Sequence, residues 1–317
     1  MPRLTKLDIA NFRGIRKGIV SGFADVTLLV GRNNSGKSTV AEAMVTVAAA
    51  VKAQQPEPWA APTTAESLGR WSTDRNEAGR IEERWFDKDR SKRLGLVAWI
   101  DGAAFSVALG AGSPGTVGIG TPIPPGAAFL SRWADFLPAD AGNVEIEKHL
   151  WTMVLGPRKD KTLIAAVNEI FGMQVEQIQL PPDGRLLLVL AERTIALDAH
   201  GAGTRAAVRC LIKLALAERT LFVMEHPETH QHPGSLMRLG AAMCSQAKRL
   251  DTQLVITTHS IECIRAFLEG SSNAGSSFAV LHLGLANGKL DVRSIDAETL
   301  RGLDRTGMDV RDLDLYA

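Results

Sequence analysis

"GRNNSGKST", residues 31–39, decides the fold. It fits the spacing G-x4-G-K-[ST], and its surroundings match what that spacing requires. "VTLLV" at 26–30 reads as a buried strand, and "TVAEAMVTVAAAVK" at 39–52 is alanine-rich and reads as a helix. In a strand–loop–helix unit of this kind, Gly31 and Gly36 let the backbone curl so that successive N–H groups face phosphate oxygens. The following helix adds its positive end. Lys37 supplies a point charge to the β- and γ-phosphates, and Ser38 offers a hydroxyl to Mg²⁺. Thr39 lies one residue further on, and Asn33, Asn34 and Ser35 complete the loop. ATP and Mg²⁺ are therefore the expected ligands.

Working outward, "RLTKLDIANF" alternates as a half-buried strand does, and turns are expected at Gly14 and Gly22. Residues 54–69 carry three prolines and read as a loop. "LGLVAWID" and "AAFSVALG" suggest an antiparallel hairpin across Asp101 and Gly102. A glycine- and proline-rich loop follows at 110–128. Helical patterns come next at 145–155 and 161–172, then strands "VEQIQL", "RLLLVLA" and "RTIALDA" around the turn "PPDG". From residue 204 buried strands ("TLFVM", "QLVITTH") alternate with helices, the pattern of a parallel α/β sheet. The expected fold is an α/β P-loop NTPase of ABC-ATPase type, a mixed sheet with flanking helices plus an inserted helical and antiparallel lobe. Its core is expected at 1–53 and 185–317, and the insert at about 54–184.

Bulk composition narrows the function classes. Thirty-six basic against thirty-five acidic side chains give no global pull toward nucleic acid or membrane, so DNA contact needs a local patch. Two clusters are candidates, Arg13, Arg16 and Lys17, and Arg158, Lys159 and Lys161. Either reads equally as a solvated face. Three widely spaced cysteines and the lack of a signal-like or membrane-length segment lead us to expect a cytoplasmic protein with no membrane partner.

The second half carries "LDAHGAGTRAAVRCLIKLALAERTLFVMEHPETHQHP" and then "QLVITTHS". With "LTKLDIANFRGI" at the start, these stretches resemble the ATPase half of the OLD (overcoming lysogenisation defect) family and the related SMC, RecF and ABC-type ATPase heads. The resemblance covers about residues 1–50 and 185–270. It implies that two heads close over two nucleotides, with Gly201 and Gly203 of "GAGTR" presenting a signature helix, expected to start near Thr204, to the opposite ATP. The serine of the usual ABC signature is missing. His259 resembles the switch histidine that contacts the γ-phosphate, and His230 and His232 fall in the loop that touches the partner head.

The family pattern for the acidic strand ends in Asp-Glu-Pro-Glu. Here Glu225 stands in the Asp position as a ligand of Mg²⁺ or its water, His226 replaces the catalytic Glu, and Pro227 and Glu228 match. An imidazole accepts one hydrogen bond but brings no negative charge, so hydrolysis is expected to be slow, with His226 or Glu228 as substitute base. A zinc reading of His226, His230 and His232 is disfavoured, because "HPETH" is not H-E-x-x-H and Pro227 opposes a continuous helix.

The resemblance further implies a homodimer or higher oligomer gating a separate effector, plausibly a nuclease in anti-phage defence or DNA repair. The rival is a non-hydrolysing scaffold held together by ATP. A small-molecule kinase would lack the paired signature and switch motifs. The insert lacks heptads, so long SMC-type arms are not expected. The residues after "SIECIRAF" are too few for a fused nuclease domain, and they show no acidic nuclease cluster.

Overall fold

The computed structural model describes residues 2–54, 86–88, 91–109, 117–119, 121, 122, 124, 127, 137–138 and 151–315. The expected loop at 54–69, most of that at 110–128 and the first half of the helical pattern at 145–155 lie outside these residues; of the last, 151–155 are helical.

The strands are β1 (Leu4–Phe12), β2 (Ile15–Ser21), β3 (Val26–Val30), β4 (Leu94–Ile100), β5 (Ala103–Leu109), β6 (Val117–Ile119), β7 (Leu137–Pro138), β8 (Val175–Gln179), β9 (Leu187–Leu190), β10 (Thr194–Ala196), β11 (Leu221–Glu225), β12 (Gln253–Thr257), β13 (Phe278–Ala286) and β14 (Lys289–Asp296). The helices are α1 (Lys37–Gln54), α2 (Asp160–Phe171), α3 (Ala202–Leu216), α4 (Pro233–Leu250), α5 (Ile261–Ala274) and α6 (Ala297–Thr306). Eleven strands form one mixed sheet in the order β6-β5-β4-β1-β2-β14-β13-β3-β12-β11-β7, and β10-β9-β8 form a second, antiparallel one.

Within the large sheet β13, β3, β12, β11 and β7 run parallel; β6, β5, β4, β1 and β2 pair antiparallel in succession, and β14 joins β2 in parallel and β13 antiparallel. The expected mixed sheet is found, and the strands "TLFVM" and "QLVITTH" that alternate with helices form part of its parallel centre. The expected hairpin of β4 and β5 forms and continues the sheet by pairing with β1.

Period-two burial explains the layers. Leu28, Phe222, Met224, Leu254 and Ile256 face a core shared with α2 to α5. Their neighbours Leu29, Leu221, Val223 and Val255 face the other way, onto α1 and β1. Strands buried on both faces read as continuous apolar runs, which is why these were legible.

β2 was not anticipated. The N–H groups of Arg16 and Lys17 both donate to the carbonyl of Gly288 (2.7 and 3.1 Å), so two consecutive residues oppose one. This bulge puts both basic side chains outward and breaks the alternation that marks a strand. The C-terminal hairpin of β13 and β14, with α6 behind it, also completes the fold beyond the motifs.

Candidate functional site

Because β3, β12 and β11 are adjacent and parallel, their carboxyl ends open onto one edge, where ligands of open α/β sheets collect. Register sets them level: Thr257 pairs with Leu29 on one side and with Glu225 on the other. The phosphate loop follows β3, Glu225 ends β11, and Thr258 and His259 follow β12.

The loop requires its glycines. Gly31 (φ +134°) and Gly36 (φ +96°) adopt conformations that L side chains avoid, and a Cβ on Gly31 would come within 2.3 Å of the Leu283 carbonyl. Arg32, Asn33 and Asn34 form its exposed crest, with Asn34 left-handed (φ +64°), whereas Ser35 and Lys37 are buried. Lys37 donates to the carbonyls of Gly31 (2.9 Å) and Arg32 (2.7 Å) and to Ser35 Oγ (3.3 Å). Burial brings its pKa down to about 8, with the Glu225 carboxylate opposing the shift. Ser38 Oγ donates to Glu225 Oε1, which joins the start of α1 to the end of β11. Thr39 is half-buried in the first turn of α1.

The same residues pass a test of fit for Mg²⁺. A hydroxyl and a carboxylate in contact are hard oxygen donors. Beside them the buried Oγ1 of Thr257 has no hydrogen-bond partner, leaving it available to a hydrated cation. Among the described residues no three His, Cys, Asp or Glu side chains converge as a metal-binding group. Residues 227–230 form a turn, so His226 and His230 share no helix face.

His226 stands in the left-handed region (φ +48°), and its N–H donates to the Thr257 carbonyl at 2.9 Å. Its ring lies parallel to that of His259, with centroids 5.2 Å apart and planes 8° apart, and its Nδ1 is 3.2 Å from Glu228 Oε1. That carboxylate oxygen also accepts from Thr258 Oγ1 (2.8 Å) and from the His259 N–H (3.3 Å). Burial alone would raise the pKa of Glu228, but the hydrogen bonds from His226, the backbone and Thr258 outweigh it and hold it below the usual range. His259 is lowered, first by burial and then by the positive charge of Lys37.

Gly201 and Gly203 lie elsewhere. Helix α3 begins at Ala202, not near Thr204, so Gly201 is the N-cap and Gly203 sits inside the first turn. A Cβ on Gly203 would come within 2.5 Å of the His230 carbonyl, and Gln231 Nε2 donates to the Gly203 carbonyl at 2.8 Å. The signature turn and the "HQHP" loop thus form one packed unit. His232 caps α4 by accepting from the Gly234 N–H at 3.2 Å.

Thr257, Thr258 and Gln231 were missed by sequence reasoning; the first two lie in "TTHS", whose histidine alone was singled out. Both basic clusters lose a member to an ion pair, Arg13 to Glu42 and Lys159 to Glu218 (3.2 Å). All three cysteines are free and buried. No helix among the described residues is long and apolar enough to cross a membrane.

Comparison with known proteins bears on the fold and the family. The Smc head domain of Pyrococcus furiosus, solved with an extended coiled coil and bound to the C-terminal domain of ScpA, superposes with a TM-score of 0.61 at 11% identity, covering 96% of this chain and 99% of that one. An Smc head bound to the C-terminal winged-helix domain of ScpA gives 0.62 at 12%, covering 94% and 99%. The SMC head domain of Thermotoga maritima gives 0.53 at 15%, covering 93% and 99%. At such identities the likeness establishes the fold alone, that of an SMC head domain. No curated protein matches significantly. The model of the AAA ATPase domain matches residues 3–82 and 143–264, well over half of the sequence, and the chain belongs to that family.

Proposed function

We propose that the protein is an ATP-hydrolysing head that binds MgATP at the edge formed by β3, β11 and β12, pairs with a second head around nucleotide, and gates a separate effector. The observation that carries the reading is the hydrogen bond of Ser38 to Glu225 beside the buried Lys37. It brings phosphate-loop hydroxyl, acidic carboxylate and loop cation to one point. Lys37 and the loop N–H groups bind phosphate oxygens, and Ser38 and Glu225 hold Mg²⁺, which when bound neutralises phosphate charge and orients the γ-phosphoryl group.

Glu228 is a poor substitute base. Its side chain is 16% exposed, its pKa is depressed, and Oε1 is engaged by three donors while the buried Oε2 has no partner. Its work here is to hold the two histidines. His226, a third exposed, is left to accept a proton from water, and turnover is slow. The same engagement of Glu228 favours the second reading, a scaffold in which ATP holds heads together without being cleaved.

The resemblance to the OLD branch supports a nuclease as effector, in defence or repair. The ScpA domains bound to Smc heads of the same fold support a protein partner on this head. The test is ATP-dependent thermal stabilisation together with phosphate release. At an ATP concentration of about one hundred times Kd, stability should rise by about 2.7 kcal/mol, and Lys37→Ala should abolish the gain. A gain that survives Lys37→Ala defeats the site, and stabilisation without phosphate release selects the scaffold.

A further inference from the structure

Both peptide groups flanking the His259 side chain are tied, one by a residue of the acidic-strand loop and the other by a residue near the C-terminus. Its N–H goes to Glu228, and its carbonyl accepts from Arg311 Nη1 at 2.8 Å. Arg311 lies in the short C-terminal 3-10 segment Val310–Leu315, outside every nucleotide-binding motif.

This arginine is itself fixed at three points. Its Nε lies 2.9 and 3.0 Å from the two oxygens of Asp309, in a fork completed by Nη2. Its own carbonyl meets Nε2 of the buried His282 at 3.1 Å. The preceding Val310 is 1% exposed, packed into the core. His282 belongs to β13 and pairs with Val30, the last residue before the phosphate loop. The C-terminal segment therefore stands on the same sheet edge as the nucleotide site.

A half-exposed Arg–Asp pair by itself contributes little. What distinguishes Arg311 is that Asp309 takes one side of the guanidinium while the remaining Nη1 reaches the backbone of His259. The planar fork aims that donor with little conformational freedom left.

We infer that Arg311 is a positioning residue: through the His259 carbonyl it holds the imidazole against His226, so that the C-terminal segment sets the activity of the site. The catalytic part of this inference rests on the proposed ATPase reading; the structural part does not. A reacting group displaced by about 1 Å costs up to about a hundredfold. Loss of the Arg311 contact should lower kcat about ten- to a hundredfold and leave KM for MgATP within about twofold, because Arg311 has no hydrogen bond to Lys37, Ser38 or Glu225.

The experiment uses the full chain with Arg311→Ala, Arg311→Lys and a control, Arg301→Ala, which removes the hydrogen bond of α6 to Ser272 (2.6 Å) without touching His259. Steady-state phosphate release is measured in each, and Arg311→Ala is repeated in a His259→Ala background. Amide hydrogen exchange of residues 258–262 is followed without nucleotide. The expected result is faster exchange of that segment in Arg311→Ala and not in Arg301→Ala, and a kcat loss that vanishes once His259 is alanine. Partial recovery of kcat in Arg311→Lys is expected too, since an ammonium still donates to a carbonyl. Unchanged exchange in Arg311→Ala overturns the inference, as does an equal kcat loss with and without His259. If the wild type releases no phosphate, the ATPase reading fails and the exchange result alone judges Arg311.

Discussion

Replacing His226 by glutamate tests the reaction and the packing at once, with opposite signs. In the folded protein His226 contributes one hydrogen bond to an ionised partner, Glu228, and one stacked contact with His259. Such bonds contribute about 1.5–3 kcal/mol when buried. The ring is 32% exposed, so about 1 kcal/mol is the better figure here, and the stack adds about 0.5–1 kcal/mol. His226→Glu should therefore lower stability by about 1.5–2 kcal/mol, or about 3–8 °C in Tm at roughly 2–4 °C per kcal/mol. The same change places a carboxylate where the family pattern has its base, and general-base assistance contributes about 10²–10⁴-fold, equivalent to roughly 3–5 kcal/mol of barrier. We expect kcat to rise about a hundredfold in a protein that melts earlier. Single-turnover cleavage of MgATP, followed by quenched flow, isolates the chemical step, and scanning fluorimetry reads the melting shift. A kcat within about threefold of wild type, in a variant that is still folded and binds ATP, would show that position 226 does not limit the reaction.

Glu228→Gln keeps an acceptor for Thr258 and the His259 N–H but removes the charge, so kcat should fall by less than about tenfold, and a loss above a hundredfold would make Glu228 the base. Lys37 carries a pKa of about 8, so ATP affinity should be steady below that pH and fall as pH rises through it, by about tenfold at pH 9; Lys37→Arg should flatten this profile in a fluorescent-nucleotide titration. Gly203→Glu is a poor probe of head association, because even a methyl group there meets the His230 carbonyl. Gly201 has nothing within 4 Å of an added Cβ, so Gly201→Glu should leave Tm unchanged yet suppress ATP-dependent self-association in sedimentation, and association indifferent to it would remove the signature turn from the interface.

Sequence alone determined the parts of this protein whose chemistry is local. Gly31, Gly36, Lys37 and Ser38 are legible because a phosphate-binding turn needs those residue types within a few positions. "VTLLV", "LFVME" and "QLVIT" are legible because strands buried on both faces are apolar throughout. Tertiary structure decided the rest. Only the strand order, with β12 between β3 and β11, brings Ser38 to Glu225 across the chain. Only the packed loops show Glu228 committed to Thr258 and two histidines, or Gly203 pressed against His230. Arg311 carries no motif, and the bulge at Arg16 and Lys17 erased the alternation that would have announced β2. Periodicity and spacing report on neighbours along the chain, whereas these contacts join residues tens to hundreds of positions apart, whose proximity is set by sheet register and core packing.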